Sequence, residues 1–326
     1  SDLRSKLLKL INMKWILKNS EDDMITLKQN DDLFNLKRCC AKYLALAPIF
    51  ECLNVNNIPY ANIKGETLSL YAFDQYGQRS YGDIDILVSR KNLHVLEAVL
   101  AQNGYISPSV TREEKVMMIS ASHQTAAWYK ITNQKFKSVI DVNFDIFWGE
   151  HMGRHIDIDQ FLSDTIEMKI YGVKVRVLSP LKAMIQLILH HYKEMNSIYH
   201  IAEHDCIKES MFRDVYYLWK NNSDAISLEK LYELSLEYEI IPYVFYILYF
   251  TNKIFDDQKL SRYVEAFHTQ DGFDLLDYYG LAVRERKLWK VDFQTRLKTN
   301  KMYDLIKADL TEDDLIKLER NRKIFG

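Results

Sequence analysis

The chain is poor in the residues that break, staple or anchor a fold. Of its 326 residues only five are proline and ten glycine, which argues against a long flexible linker and for helices joined by short loops. Its four cysteines, Cys39, Cys40, Cys52 and Cys206, form no C-x-x-C pair and have no zinc-finger spacing, so free thiols in a reducing compartment are expected. No apolar run approaches the ~20 residues of a membrane span, and the first residues lack the apolar stretch of a signal peptide. Charge of one sign is missing too: 43 basic residues against 45 acidic ones leave a net charge of −2. That balance gives no overall electrostatic footprint for nucleic acid or an anionic membrane, although a local basic groove is compatible with it. A cytoplasmic location is expected.

What is present is an ordinary globular composition, 48% apolar and 27% charged, with 21 tyrosines. The length suits one large or two small domains and is ample for a core. Periodicity divides the chain into three regions. Residues 1–57 read as helical, with Leu33, Leu36, Cys40, Tyr43, Leu44 and Ala47 at helical spacing and Pro48 as a kink or an end. Residues 58–180 mix strands and helices: a strand over 58–64, a helix over 66–73, a strand over 83–88 and an amphipathic helix over 90–105 closed by Gly104. A helix is expected over 111–120, then a hairpin of 123–132 with 136–148 turning at "NQ", and a second hairpin over 167–179 turning at Tyr171-Gly172. Residues 181–326 read almost wholly as helix, including 209–221, 227–237, 242–254, 259–267, 280–297 and 301–320. The expected class is α+β, a small mixed sheet between helical arms.

One strand carries the chemistry. In "YGDIDILVSR" (81–90), strand alternation sends Asp83 and Asp85 to one face and Ile84 and Ile86 to the other. Two carboxylates about 7 Å apart on a packed face repel each other and lose hydration. A hard divalent cation such as Mg²⁺ is the simplest compensating partner. The alternative is a solvated strand end.

Three further features converge on this pair. "IKGETL" (63–68) is a strand that ends at Gly65 and turns into a helix, bringing backbone N–H groups and a helix N-terminus towards an anionic phosphate, with Lys64 beside it. Arg79 stands four residues before Asp83, where its fork suits triphosphate oxygens. "VIDVNFDIFW" (139–148) places Asp141, Asn143 and Asp145 on one face. If that strand lies beside 83–88, Asp141 completes a three-carboxylate cluster able to hold two Mg²⁺ ions and to accept the acceptor's proton. Asp145 is the rival third carboxylate.

This set resembles the DNA polymerase β-like nucleotidyltransferase superfamily, and most closely the bacterial family called uncharacterised nucleotidyltransferases, over roughly residues 55–220. The matching elements are Lys64-Gly65, Arg79, "DIDILV" (83–88), "IDVNFDIFW" (140–148) and "VLSPLKAMIQLILHH" (177–191). The resemblance implies a Mg²⁺-dependent transfer of a nucleoside monophosphate from an NTP to an acceptor, with Asp83, Asp85 and Asp141 as metal ligands and catalytic residues and Lys64, Gly65 and Arg79 holding phosphates. Two departures stand out. Glu66 occupies the place of the turn serine or glycine of many superfamily members, and Asp141 and Asn143 replace the more usual glutamate and histidine. The acceptor, whether small molecule, peptide or protein, is not readable. The alternatives are a non-catalytic scaffold of the same fold, or a toxin-like adenylyltransferase acting on protein or tRNA, the latter disfavoured by the balanced charge.

Other motifs read as structural. "HIDIDQF" (155–161) repeats D-x-D where a helix begins, so Asp157 or Asp159 is expected to cap it. His190 and His191 lie on an apolar helix and are expected to be buried with backbone partners. "HIAEH" (200–204) lacks the glutamate of a zinc-protease motif. The aromatic residues of 232–255 fall on helical faces and suit core packing.

Overall fold

The computed structural model describes residues 23–79, 81–108, 111–113, 115, 122–131, 137–148, 156–204 and 207–325, with side chains from residue 34 onward except those of residues 204, 324 and 325. Most of the helix expected over 111–120, the "NQ" turn, Cys206 and residues 1–22 lie outside this set.

The first element is a helix, α1 (Asp23–Val55), that runs through Pro48 without ending. The carbonyl robbed of its hydrogen bond by that proline belongs to Leu44, four residues back. Strand β1 (Tyr60–Ile63) leads through Lys64 into α2 (Gly65–Phe73). β2 (Ile84–Val88) and α3 (Leu93–Gln102) follow, and Gly104 stops the helix at φ +77° as expected. β3 (Trp128–Ile131) and β4 (Lys137–Asn143) form the first expected hairpin. A single turn, α4 (Ile158–Phe161), precedes the second hairpin, β5 (Ile166–Ile170) with β6 (Val173–Val177). Tyr171 and Gly172 both have positive φ, 50° and 83°, the backbone of a two-residue turn whose twist matches the strands.

The six strands form one mixed sheet in the order β3-β4-β2-β1-β6-β5. β1 runs antiparallel to β2, and β2 runs parallel to β4. Both faces are covered. Ile84, Ile86, Val88, Ile140 and Val142 pack with Tyr43, Leu46 and Phe50 of α1 and Leu96 and Leu100 of α3. Ala61, Ile63 and Leu87 point the other way, into a larger core shared with α2 and the C-terminal helices. Asp85 shares the face of Leu87 by alternation, so the acidic face is the one the C-terminal helices cover.

Those helices are α5 (Pro180–Asn196), α6 (Ile198–His204), α7 (Glu209–Asn221), α8 (Leu228–Glu237), α9 (Ile241–Phe255), α10 (Gln258–Phe267) and α11 (Gln270–Leu275). The helix expected over 280–297 is corrected. That stretch is a small ribbon of β7 (Tyr278–Tyr279) with β8 (Lys287–Leu288), then α12 (Phe293–Lys298). Gly280 decides it. At φ +99° its backbone passes so close to Glu285 that an added Cβ would sit 2.3 Å from the Glu285 carbonyl oxygen. The helix expected over 301–320 is two, α13 (Met302–Ile306) and α14 (Glu312–Phe325). Among the described residues no helix is long and apolar enough to cross a membrane.

Candidate active site

The register settles which carboxylates meet. Asp85 on β2 is the pairing partner of Asp141 on the adjacent parallel strand β4, and Leu87 is the partner of Asn143. Neighbouring parallel strands hold such residues about 5 Å apart with side chains on the same face. Asp83 sits in the bend just before β2, close enough to Asp141 to act on its carboxyl. Asp145 lies beyond the end of β4, and its Oδ1 accepts hydrogen bonds from the Ile146 and Phe147 N–H groups at 2.8 and 3.0 Å. It therefore serves the backbone, leaving Asp141 as the carboxylate beside Asp85.

Lys64 closes the other side. It follows Ile63, the β1 residue paired with Asp85, and its Nζ lies 2.9 Å from Asp85 Oδ1. Its backbone sits at φ 59°, ψ −148°, a region that side chains other than glycine's rarely occupy. Gly65 follows at φ +51°. The two positive φ values turn the chain straight from β1 into α2, whose first N–H groups receive no side-chain cap. Asn62 ties the turn to the strand: its Nδ2 donates to the Asp85 carbonyl, while its Oδ1 accepts from Tyr43 and Thr67 hydroxyls.

The electrostatics are those of crowded acid groups. Burial, then the charges of Asp85 and Asp83, push the Asp141 carboxyl up to about 7. Burial also raises Asp85, with Lys64 opposing the rise and Asp83 adding to it. For Lys64, burial works against the charge, but the Asp85 carboxylate outweighs it and holds the ammonium above its ordinary value. Asn143 Nδ2 adds a long hydrogen bond, 3.4 Å, to Asp85 Oδ1. Oxygen donors that repel one another at neutral pH fit a hard divalent cation, which relieves the repulsion and accepts carboxylate oxygen. The chemistry of the donor set therefore suits Mg²⁺. Asp85 is turned to Lys64, and among the described residues the three aspartates do not form a group with all ligating atoms within 4.8 Å of one another.

Arg79 has a different neighbour from the one the sequence suggests. Its Nε donates to Asp214 Oδ2 of α7 at 2.7 Å, and the Asp214 side chain is only 3% exposed. The charges with the largest effect on Asp85 and Asp141 include Lys64 and the other carboxylates, not Arg79.

Several residues that sequence reasoning missed position the site. Lys42 of α1 is buried, and its Nζ donates to the Tyr81 and Gly82 carbonyls at 2.6 and 2.8 Å, immediately before Asp83. Burial lowers its pKa to about 8. The available signal was a lysine among Cys39, Cys40, Tyr43 and Leu46 on an apolar stripe. Glu66, wholly buried, turns away from the phosphate side: its carboxylate accepts from the Gly77 N–H and, at 2.6 Å, from the Tyr171 hydroxyl. His123 sits with Nε2 3.2 Å from Lys193 Nζ of α5. Burial, then the Lys193 charge, keeps its ring well below the ordinary imidazole value, so neutral Nε2 accepts from the ammonium. Asp157 caps α4 as expected, accepting from the Asp159 and Gln160 N–H groups.

Similar solved structures include an antigenic nucleotidyltransferase-like protein from Paracoccidioides brasiliensis, 17% identical, covering 60% of this chain and 87% of that one with a TM-score of 0.37. The antibiotic-resistance factor ANT(2'')-Ia, studied in solution, is 12% identical over 60% of this chain and 92% of its own, TM-score 0.37. ANT(2'')-Ia in complex with adenylyl-2''-tobramycin is 14% identical over 59% and 93%, TM-score 0.34. No curated protein matches the chain. A family model matches residues 33–256, which hold the whole sheet and every site residue named above. The chain belongs to the family of uncharacterised nucleotidyltransferases.

Proposed function

We propose that this chain is a Mg²⁺-dependent nucleotidyltransferase that moves a nucleoside monophosphate from an NTP to an acceptor, releasing pyrophosphate. The observation that carries the reading is the pairing of Asp85 with Asp141 on neighbouring parallel strands, with Asp83 near enough to act on Asp141. Asp83, Asp85 and Asp141 hold the cation, which when bound supplies charge neutralisation for the triphosphate and lowers the pKa of the acceptor group. Asp141, beside the acceptor's path on this reading, accepts the acceptor's proton. The uncapped N-terminus of α2 at Gly65 and the Lys64 ammonium hold phosphates, and Arg79 offers the donors that Asp214 does not engage. The C-terminal helices over the acidic face form the wall on the acceptor side.

Calorimetric titration of each NTP, as a non-hydrolysable analogue with and without Mg²⁺, tests this on wild type and Asp83→Asn/Asp85→Asn. One NTP is expected to bind only with Mg²⁺ and to lose binding in the double variant. Mg²⁺-independent binding, or no binding by any NTP to the folded protein, favours a scaffold of the same fold.

A further inference from the structure

α5 carries a second group of ligating side chains, made of other residues than the aspartates and near enough to Lys64 for the Glu194 charge to act on its ammonium. His190, His191 and Glu194 occur at i, i+1 and i+4, and their ligating atoms all lie within 4.8 Å of one another. The Glu194 carboxylate spans the two rings, one oxygen 3.1 Å from His190 Nε2 and the other 3.5 Å from His191 Nδ1. A tetrahedral zinc ion at about 2.0–2.2 Å from nitrogen and oxygen holds its ligands roughly 3.3 Å apart. Two of the three separations already have that value to within a few tenths of an ångström.

His191 is the observation that points to a ligand. Its side chain is 5% exposed, and neither ring nitrogen makes a hydrogen bond. A buried imidazole with both nitrogens unsatisfied is costly unless something else uses them. Two imidazoles and a carboxylate suit a borderline transition metal and are a poor set for Mg²⁺. Glu194 also lines a cavity of about 140 Å³ with Met195, His200, Lys208, Met211 and Met302, which gives an ion a way in and room for a non-protein ligand.

We infer that His190, His191 and Glu194 bind a transition-metal ion, zinc by preference, at a site distinct from the aspartates of β2 and β4. On binding, His190 Nε2 gives up its hydrogen-bonding role to Glu194 and the ring carries its hydrogen on Nδ1. Asp83, Asp85 and Asp141 take no part, so the inference stands or falls apart from the nucleotide reading.

Cobalt(II) reports such a site directly, because imidazole–carboxylate coordination with few ligands gives a visible absorption band that the aquo ion and an all-oxygen octahedral site lack. Tag-free full-length protein is stripped with chelator and titrated with Co²⁺, then with Zn²⁺, as wild type, Asp83→Asn/Asp85→Asn, His190→Gln/His191→Gln and Glu194→Gln, each checked for a cooperative melt. The expected result is a band that saturates at one Co²⁺ per chain, persists in the aspartate variant, is lost in the histidine and glutamate variants, and is bleached by Zn²⁺ but not by Mg²⁺. Glu194→Gln keeps the side-chain shape and decides the matter where the histidine variant does not fold. The inference is overturned if folded wild type gives no band. It is equally overturned if the band survives loss of His190, His191 or Glu194, or vanishes with the aspartates.

Discussion

At the scale of single residues, the crowded acid groups cost the metal-free fold stability. Asp141 has a carboxyl raised from 3.8 to about 7, so between those values the folded protein holds a proton that the unfolded chain has released. Stability without metal therefore falls as pH rises from about 4 to about 7, and the full penalty is present above 7. Asp141→Asn removes the titration. In EDTA at pH 8 it is expected to stabilise the fold by roughly 2–4 kcal/mol, an advantage that shrinks to nothing near pH 4, while nucleotidyl transfer is lost. Urea melts of both proteins across that pH range check it. A variant no more stable than wild type at pH 8 would mean that the carboxyl is not crowded as described. The aspartates were legible in the sequence because strand alternation is strict: once 83–88 and 136–148 read as strands, the shared face followed. The pairing of the two strands was not legible, because which strands become neighbours depends on the crossover between them and on packing far along the chain.

At the scale of elements, local signals told most of the story and tertiary ones the rest. Gly104, the Tyr171-Gly172 turn and the Asp157 cap act within a few residues, so the sequence alone announces them. The ribbon at 278–288 depends on Gly280 passing close to Glu285 and on its N–H reaching the Asn196 carbonyl at 2.8 Å. Neither contact is visible in "GLAVRERKLWKV", whose residues are compatible with a helix. The turn from β1 to α2 mixes the two. Gly65 was an evident bend, but Glu66 looked like a loss of phosphate contact when it is in fact a tie between the 74–82 loop and the β5–β6 turn. Glu66→Ser restores the residue many superfamily members carry there, yet it strips the Gly77 N–H and the Tyr171 hydroxyl of a buried acceptor. We expect it to destabilise the protein by about 2–4 kcal/mol and to leave NTP affinity no better than wild type. Thermal melts with parallel NTP titrations check it, and tighter NTP binding would show that the turn, not the loop, is what Glu66 governs.

At the scale of the whole molecule, the sheet and the C-terminal helices share one core. Ala61, Ile63 and Leu87 belong to the same cluster as residues as distant as Met302 and Ile306, and residue 180 marks a change of element type inside it. Polar ties cross the same boundary: Asn221 and Asn222 donate to the Ala72 and Tyr71 carbonyls at 2.6 and 2.9 Å, and Arg79 pairs with Asp214. That ion pair can be separated from the phosphate role proposed for Arg79. Asp214→Leu alone leaves a guanidinium without its carboxylate on a buried contact and is expected to cost about 3–5 kcal/mol. Arg79→Met/Asp214→Leu replaces both charges with apolar groups and is expected to recover most of that loss, since a buried pair removed as a whole is often close to neutral. If Arg79 also holds phosphate, the double variant folds and melts near wild type but binds Mg²⁺–NTP at least ten times more weakly. If its affinity equals that of wild type, Arg79 joins the two halves of the molecule and does nothing more, and Lys64 with the N-terminus of α2 must hold the triphosphate.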